Sequence, residues 1–252
     1  MNILGIESSG LTASAAVMTD GRLVSEYTVN NKKTHSQTLL PMISEVMSSA
    51  GLETKELDCI AISRGPGSFT GLRIGSATAK GLGLALDKKV AEVSTLEALA
   101  YNLIEAKDCI LCPIMDARRQ EVYTAAYEAK ESVAGKTASS GNESEKATGY
   151  RPLRIVIPEK ACPLDELLRE LEGLNRKVLF NGDGVPVYSE YIKENFKGEY
   201  AFASNTLLLQ RAASVAALGT IMYEAGEIID ADAHVPVYLR KSQAERELAA
   251  KG

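Results

Sequence analysis

The chain has 252 residues, 45% of them apolar and 24% charged, with a net charge of −5. That length accommodates one large domain or two small ones, and a core of this size needs no disulfide or metal staple. The negative balance, without a dense Lys/Arg cluster, speaks against a free-standing nucleic-acid binder. No apolar run has membrane-spanning length, and Met1-Asn2-Ile3-Leu4 lacks the basic region and apolar core of a signal peptide, so a cytoplasmic location is expected.

Asn2 to Glu7 predicts an apolar strand ending in an acid and two serines. Ala13 to Thr19 predicts a second strand, and Asp20-Gly21 is a hairpin turn signal. Arg22 to Val29 alternates as a third strand would. Leu39, Leu40, Ile43, Val46, Met47 and Ala50 then recur at helical spacing, with Gly51 suited to the C-terminal cap. Pro41 fits that helix only if it starts late, near Thr38, or bends. Leu57 to Ile62 predicts a buried strand, followed by the glycine-rich stretch Ser63 to Arg73 and a helix from Leu72 to Leu86.

That helix carries Gly71, Gly75, Ala79 and Gly83 at every fourth position, a ridge without bulk. An interior glycine costs about 1 kcal/mol relative to alanine, so the ridge implies a close neighbour. Arg73, Lys80 and Asp87 form one narrow polar line, and the rest of the wheel is mostly apolar. A helix apolar nearly all round is covered on more than one side. Val90 to Val93 predicts an edge strand, and Ser94 caps a helix from Thr95 to Ala106.

The pattern then restarts. Cys109 to Met115 is an apolar strand ending in Asp116, as the first strand ended in Glu7. Glu121 to Tyr127 and Leu153 to Ile157 predict strands on either side of Lys130 to Tyr150. That polar excursion buries so little that shortening it is expected to cost little stability. Leu164 to Leu171 predicts a helix, and Lys177 to Phe180 a strand leading into a second glycine turn, Asn181-Gly182-Asp183-Gly184. Val185 to Glu194 and Thr206 to Ala225 predict the last helices. Each half thus reads as three strands, helix, strand, glycine turn and helix. Two such halves are the α/β architecture of the actin, sugar-kinase and Hsp70 class, built on ribonuclease-H-like domains. The expected division is 1–106, 107–227 and a tail, 228–252, with the helix at 206–225 a candidate to pack back on the first domain.

In working members of that class an acid at the end of each first strand helps to hold a metal and its phosphates. Glu7 and Asp116 occupy those places, and a facing carboxylate pair could bind magnesium. Arg118 and Arg119 would compete for the same anions. The glycine turns suit either of two purposes. They could present backbone N–H groups to an anion at a helix N-terminus, or meet a need for positive φ. Neither a Walker motif nor GxGxxG is present. The four cysteines, Cys59, Cys109, Cys112 and Cys162, read as buried and inert: the CxxC pair lies in a strand, which points its two thiols to opposite faces. His35 and His234 stand alone, so no metal site is expected.

Five further stretches carry a resemblance beside Gly65-Pro66-Gly67-Ser68-Phe69-Thr70-Gly71-Leu72-Arg73. They are Ile3 to Ser9, His35 to Pro41, Met115 to Arg118, Glu121 to Tyr123 and Pro236 to Arg240. In that order they resemble the TsaB (YeaZ) family, the small bacterial relatives of TsaD/Kae1 proteins. The resemblance implies a non-catalytic partner that props up a TsaD-like enzyme in forming threonylcarbamoyladenosine on tRNAs reading ANN codons. It implies a heterodimer with that enzyme, a TsaE-like ATPase in a ternary complex, a homodimer when alone, and tRNA contact only through the complex. No catalytic residue and no cofactor are expected, since the paired histidines of TsaD proteins are missing. Weak nucleotide or magnesium binding would fall on a vestigial site of Glu7, Ser8, Gly65, Gly67, Asp116, Gly182 and Gly184. The alternative is an ATP-dependent phosphotransferase of the sugar-kinase or acetate-kinase class; a peptidase is the third reading. The partner surface is expected on Leu39, Leu40, Ile43 and Met47 of one helix and on Gly71, Leu72, Gly75, Ala79 and Gly83 of the next. The competing reading packs that ridge inside the chain.

Overall fold

The structure, a computed structural model, describes residues 1–31, 34–130 and 152–240. Its first half contains β1 (Asn2–Glu7), β2 (Ala13–Thr19), β3 (Arg22–Val29), α1 (His35–Ser49), β4 (Cys59–Gly65), α2 (Phe69–Leu86), β5 (Lys89–Ser94) and α3 (Thr95–Tyr101). The second contains β6 (Ile110–Asp116), β7 (Glu121–Ala129), β8 (Leu153–Pro163), α4 (Leu164–Gly173), β9 (Val178–Asn181), α5 (Val185–Asn195), β10 (Tyr200–Phe202) and α6 (Ala212–Glu224). The sheet orders are β3-β2-β1-β4-β5 and β10-β9-β6-β7-β8, the same order element for element. In each, the first three strands form an antiparallel meander, and the last two add in parallel beside the first. The chain is therefore a doubled α/β unit of the ribonuclease-H-like kind.

Helices cover both faces of both sheets. On the first sheet, α1 and α2 bury Leu39, Ile43, Met47 and Ala79 against Leu4, Ile6, Val17, Ile60 and Ile62. The opposite face receives α6, whose Val215, Ala216 and Leu218 meet Ile3, Cys59, Ala61 and Ala91. The approach is close: a Cβ at Gly5 would overlap the Ala212 carbonyl oxygen, and one at Gly219 would overlap Ala61. On the second sheet, Leu164, Leu167, Leu168 and Leu171 of α4 and Tyr188 and Ile192 of α5 pack over Ile110, Cys112, Ile114 and Phe180. Its other face is covered by Leu96, Leu99, Ala100 and Leu103 of the first half. The closing helices are thus exchanged between the halves.

Several boundaries differ from the sequence expectation. The last helix starts at Ala212 rather than Thr206, because the carbonyls just before it serve other partners. Leu208 O accepts from the Gly182 N–H at 2.7 Å, and Leu207 O and Leu209 O accept from Asn102 Nδ2 at 3.3 and 2.9 Å. The third helix ends at Tyr101 rather than Ala106. Asn102, Leu103 and Ile104 continue as turns, their N–H groups bonded three residues back. Strand β10, three residues long, was not expected. Helix α1 does not start late; it begins at His35 and contains Pro41, which is exposed and therefore costs one backbone bond without disturbing the buried face. The excursion expected at 130–150 lies outside the described residues except for Lys130, whose N–H donates to Pro152 O at 2.9 Å. Among the described residues no helix is long and apolar enough to cross a membrane.

Candidate functional site

The carboxyl end of β1 delivers Glu7 to the interior. Its side chain is fully buried. One carboxylate oxygen accepts from both the Ser9 N–H and the Ser9 hydroxyl, each at 2.6 Å, while the other finds no partner in hydrogen-bonding geometry. Burial pushes the Glu7 carboxyl up, against the opposing pull of the Ser9 bonds. The Ser8 hydroxyl donates to Gly71 O at 2.9 Å. An acid folded back on its own turn in this way is poorly placed to hold a hydrated cation.

The glycine turn after β4 is packed from two sides by the chain itself. The Ser68 N–H donates to Ser9 O at 2.7 Å, and a Cβ at Gly67 would overlap that same oxygen. Gly65 has φ 118°, and a Cβ there would overlap the Val237 carbonyl oxygen from the tail. The Ser68 hydroxyl caps α2 by accepting from the Gly71 N–H at 3.3 Å. Carbonyl oxygens, rather than open space, thus face Gly65 and Gly67, and the geometry does not fit a phosphate at these positions.

The second half is built differently. Asp116, at the end of β6, accepts from the Arg118 N–H at 2.8 Å and from the Tyr188 hydroxyl at 2.7 Å, and pairs with the Arg118 guanidinium at 3.4 Å. The Asp116 N–H donates to Asp183 Oδ1 at 3.3 Å. Burial, with the Asp116 charge beside it, pushes Asp183 up to about 6. Gly182, at φ 100°, and Gly184 both crowd the Ile114 carbonyl, and the Gly184 N–H donates to it at 3.0 Å. Arg118, Arg119 and Gln120 all adopt left-handed backbone. The structure therefore holds Glu7 and Asp116 in separate local networks. Asp183, which sequence reasoning passed over, is the acid whose charge costs most in the second turn. Its place between two glycines was the available signal.

The two raised carboxyls make a pH prediction. A group whose folded pKa lies above its unfolded value contributes stability that is complete below the unfolded value and is lost as pH rises through the folded one. For Asp183 that loss runs from the ordinary carboxylate range up to about 6. Asp183→Asn keeps an acceptor for Asp116 and is expected to raise stability at neutral pH by on the order of 1–3 kcal/mol. Glu7→Gln should shift it in the same direction. Thermal melts across this range check both; a lowered melting temperature at neutral pH in either variant would contradict the assignment.

The expected partner surface needs a correction. Cβ atoms at Gly71 and Gly75 would overlap Ser8, Ala79 is fully buried, and a Cβ at Gly83 would stand 2.5 Å from Ala231 Cβ. The small ridge faces the chain's own first strand and tail, which need its lack of bulk. Leu39, Ile43, Met47 and Leu72 are core residues too. Of the nine residues expected there, Leu40 alone is exposed, at 55%. Leu84, at 64%, stands on the outer side of α2 and was missed. Between the two helices lies an open groove of about 390 Å³ lined by Leu40, Ile43, Met47, Leu52 and Leu82.

Neither histidine meets a second one. His35 Nε2 lies 3.0 Å from Gly10 O, and the buried His234 pairs through Nδ1 with Glu92 at 2.5 Å. Among the described residues, no group of three or more His, Cys, Asp or Glu side chains is placed to hold a metal. The four thiols are free and buried, and burial pushes Cys59 and Cys162 up to about 11 and Cys112 up to about 12, where they are unreactive.

Comparison with known proteins adds an independent line. A family model described as tRNA N6-adenosine threonylcarbamoyltransferase (TsaD) matches residues 22–248. The chain is 30% identical to the tRNA threonylcarbamoyladenosine biosynthesis protein TsaB of Bacillus subtilis (strain 168), over 97% of this chain and 96% of that one. It is 27% identical to the protein of the same name from Escherichia coli (strain K12), over the full length of both. Among solved structures, YeaZ from Pseudomonas aeruginosa is similar at a TM-score of 0.75 and 26% identity, covering 94% of this chain and 99% of that one.

Proposed function

The chain belongs to the TsaB (YeaZ) family, and from that premise we propose that it serves threonylcarbamoyladenosine formation in tRNA as a non-catalytic subunit. In this reading it docks on a TsaD-like enzyme and supports that enzyme's transfer reaction. The observation that carries the non-catalytic part is Glu7, fully buried and bonded to its own Ser9 beside a glycine turn packed by Ser9 and Val237. The names of the relatives support the pathway. The outer faces of α1 and α2, with Leu40, Leu84 and the groove between them, support a docking surface of apolar character. The same face would pair two copies of the chain when the enzyme is absent. A TsaE-like ATPase joins the pair as a third subunit, tRNA is met only through the assembly, and the site of action is the cytoplasm.

The test is calorimetric titration of the purified chain with ATP and magnesium, followed by size-exclusion chromatography with a TsaD-like protein of the same organism. The expected result is no heat with nucleotide and co-elution with the enzyme. ATP turnover by the pure chain, abolished by Glu7→Ala or Asp116→Ala, would overturn the reading in favour of a phosphotransferase.

A further inference from the structure

After α6 the chain returns across the first half and ends, within the described residues, on the second. Ile229 forms an antiparallel bridge with Val90 at the edge of the first sheet, with N–H···O distances of 2.8 and 2.9 Å. Ala231 fills the space that Gly83 leaves on α2. Lys80 Nζ donates to His234 O at 3.1 Å, and the His234 ring pairs with Glu92 of β5. The segment then reaches the glycine turn. The Val237 N–H donates to Arg64 O at 2.7 Å, and the Tyr238 ring stacks on Phe69 at 4.5 Å between centroids and 8° between planes. Finally Arg240 crosses to the other half. Its Nη1 donates to Ala117 O at 2.8 Å and the guanidinium forms an ion pair with Glu121.

These contacts share one geometry. Arg64 lies at the carboxyl end of β4, Phe69 opens α2 after the glycine turn, and Ala117 follows the carboxyl end of β6. Those ends are the edges at which open α/β sheets form their binding crevices. Two covalent crossovers, at 102–109 and 203–211, join the halves; both are tied to the exchanged helices α3 and α6. The tail makes a third, non-covalent connection at the sheet edges. The Arg240 side chain is only 17% exposed, a costly placement for a guanidinium unless its fork is filled.

We infer that residues 234–240 are a strap that fixes the angle between the two sheets, with the Tyr238–Phe69 stack as anchor and the Arg240–Glu121 pair as clasp. The strap holds the Val237 carbonyl against Gly65, so the same segment that fastens the halves also packs against the glycine turn after β4. A protein whose working surface lies on α1 and α2 has no need of an opening crevice. The strap converts a hinged two-part architecture into one body.

The clasp is tested by pulsed electron spin resonance between labels on Arg22→Cys at the start of β3 and Glu190→Cys on α5, both exposed. The native thiols are buried and stay unlabelled. Arg240→Ala and Glu121→Ala, introduced from opposite sides, are each expected to shift and broaden the distance distribution, and the double variant to move it no further. Circular dichroism of the same samples verifies that each variant is folded, and Glu121→Ala carries the test if Arg240→Ala is not. A folded variant whose distribution coincides with that of the parent overturns the clasp. So does a double variant that moves further than either single one.

Discussion

Gly71→Leu is expected to unfold or severely destabilise the protein, while Gly81→Ala, ten positions along the same helix, stabilises it. At position 71 a Cβ would overlap the carbonyl oxygen of Ser8, which belongs to the backbone of the buried β1 turn and cannot rotate away. Ser8 is further pinned by its own hydrogen bond to Gly71 O. Overpacking in a core costs roughly 1–3 kcal/mol, and a backbone obstacle exceeds that. In a chain of this size each kcal/mol moves the melting temperature by roughly 2–4 °C. At Gly81 nothing lies within 4 Å of the added Cβ, so the change to alanine recovers up to about 1 kcal/mol of helix propensity. Gly75→Leu, against Ser8 and Ile62, belongs with Gly71. Thermal melts of the three variants decide the matter. A normal melting temperature for Gly71→Leu would mean that the ridge faces outward after all.

The second large effect falls on binding. Leu84→Glu and Leu40→Glu change exposed side chains, and surface changes away from special features stay within about ±0.5 kcal/mol of parent stability. In a docked complex each would place a carboxylate on the contact face, Leu40 beside the groove and Leu84 farther round α2. Losing a hot-spot side chain costs on the order of 2 kcal/mol or more, a buried unpaired carboxylate adds its own desolvation cost, and every 1.4 kcal/mol is about tenfold in affinity. The two variants together should therefore weaken the complex with the TsaD-like enzyme by at least roughly a hundredfold. Calorimetric titration against that enzyme reads the loss directly. Unchanged affinity in the double variant would move the docking surface elsewhere on the chain.

How much of this was legible in the sequence depends on the range of the interaction involved. The strand–turn–helix order was readable from local signals: Asp20-Gly21 marks the hairpin, and Leu39, Ile43, Val46 and Met47 repeat at helical spacing. The alternation expected in β3 does not separate a buried face, since Leu23, Val24 and Tyr27 are all exposed. The doubling followed from the acids and glycine turns recurring in the same order, and both sheets repeat one strand order. The direction of the α2 ridge was not readable. An all-round apolar helix implies neighbours on two sides, but whether Gly71 and Gly75 meet Ser8 or a partner is decided by tertiary contacts. The start of α6 was hidden for a similar reason. Thr206 to Gln210 has helical composition, yet its carbonyls are claimed by Asn102 and Gly182, far away in sequence. Strand β10 is three residues and has no period to read. The tail looked like an end with a short motif because Val237, Tyr238 and Arg240 acquire meaning only beside Arg64, Phe69 and Glu121.

In the proposed function the chain supports an enzyme it does not itself contain. Threonylcarbamoyl transfer to tRNA, measured with the TsaD-like enzyme alone, with this chain alone and with both, separates that role from catalysis by the chain, with the remaining components of the reaction supplied in every case. Transfer is expected with both, none with the chain alone, and a loss when the Leu40→Glu, Leu84→Glu variant replaces the parent. Transfer by the chain alone, or full transfer by the enzyme without it, would overturn the supporting role.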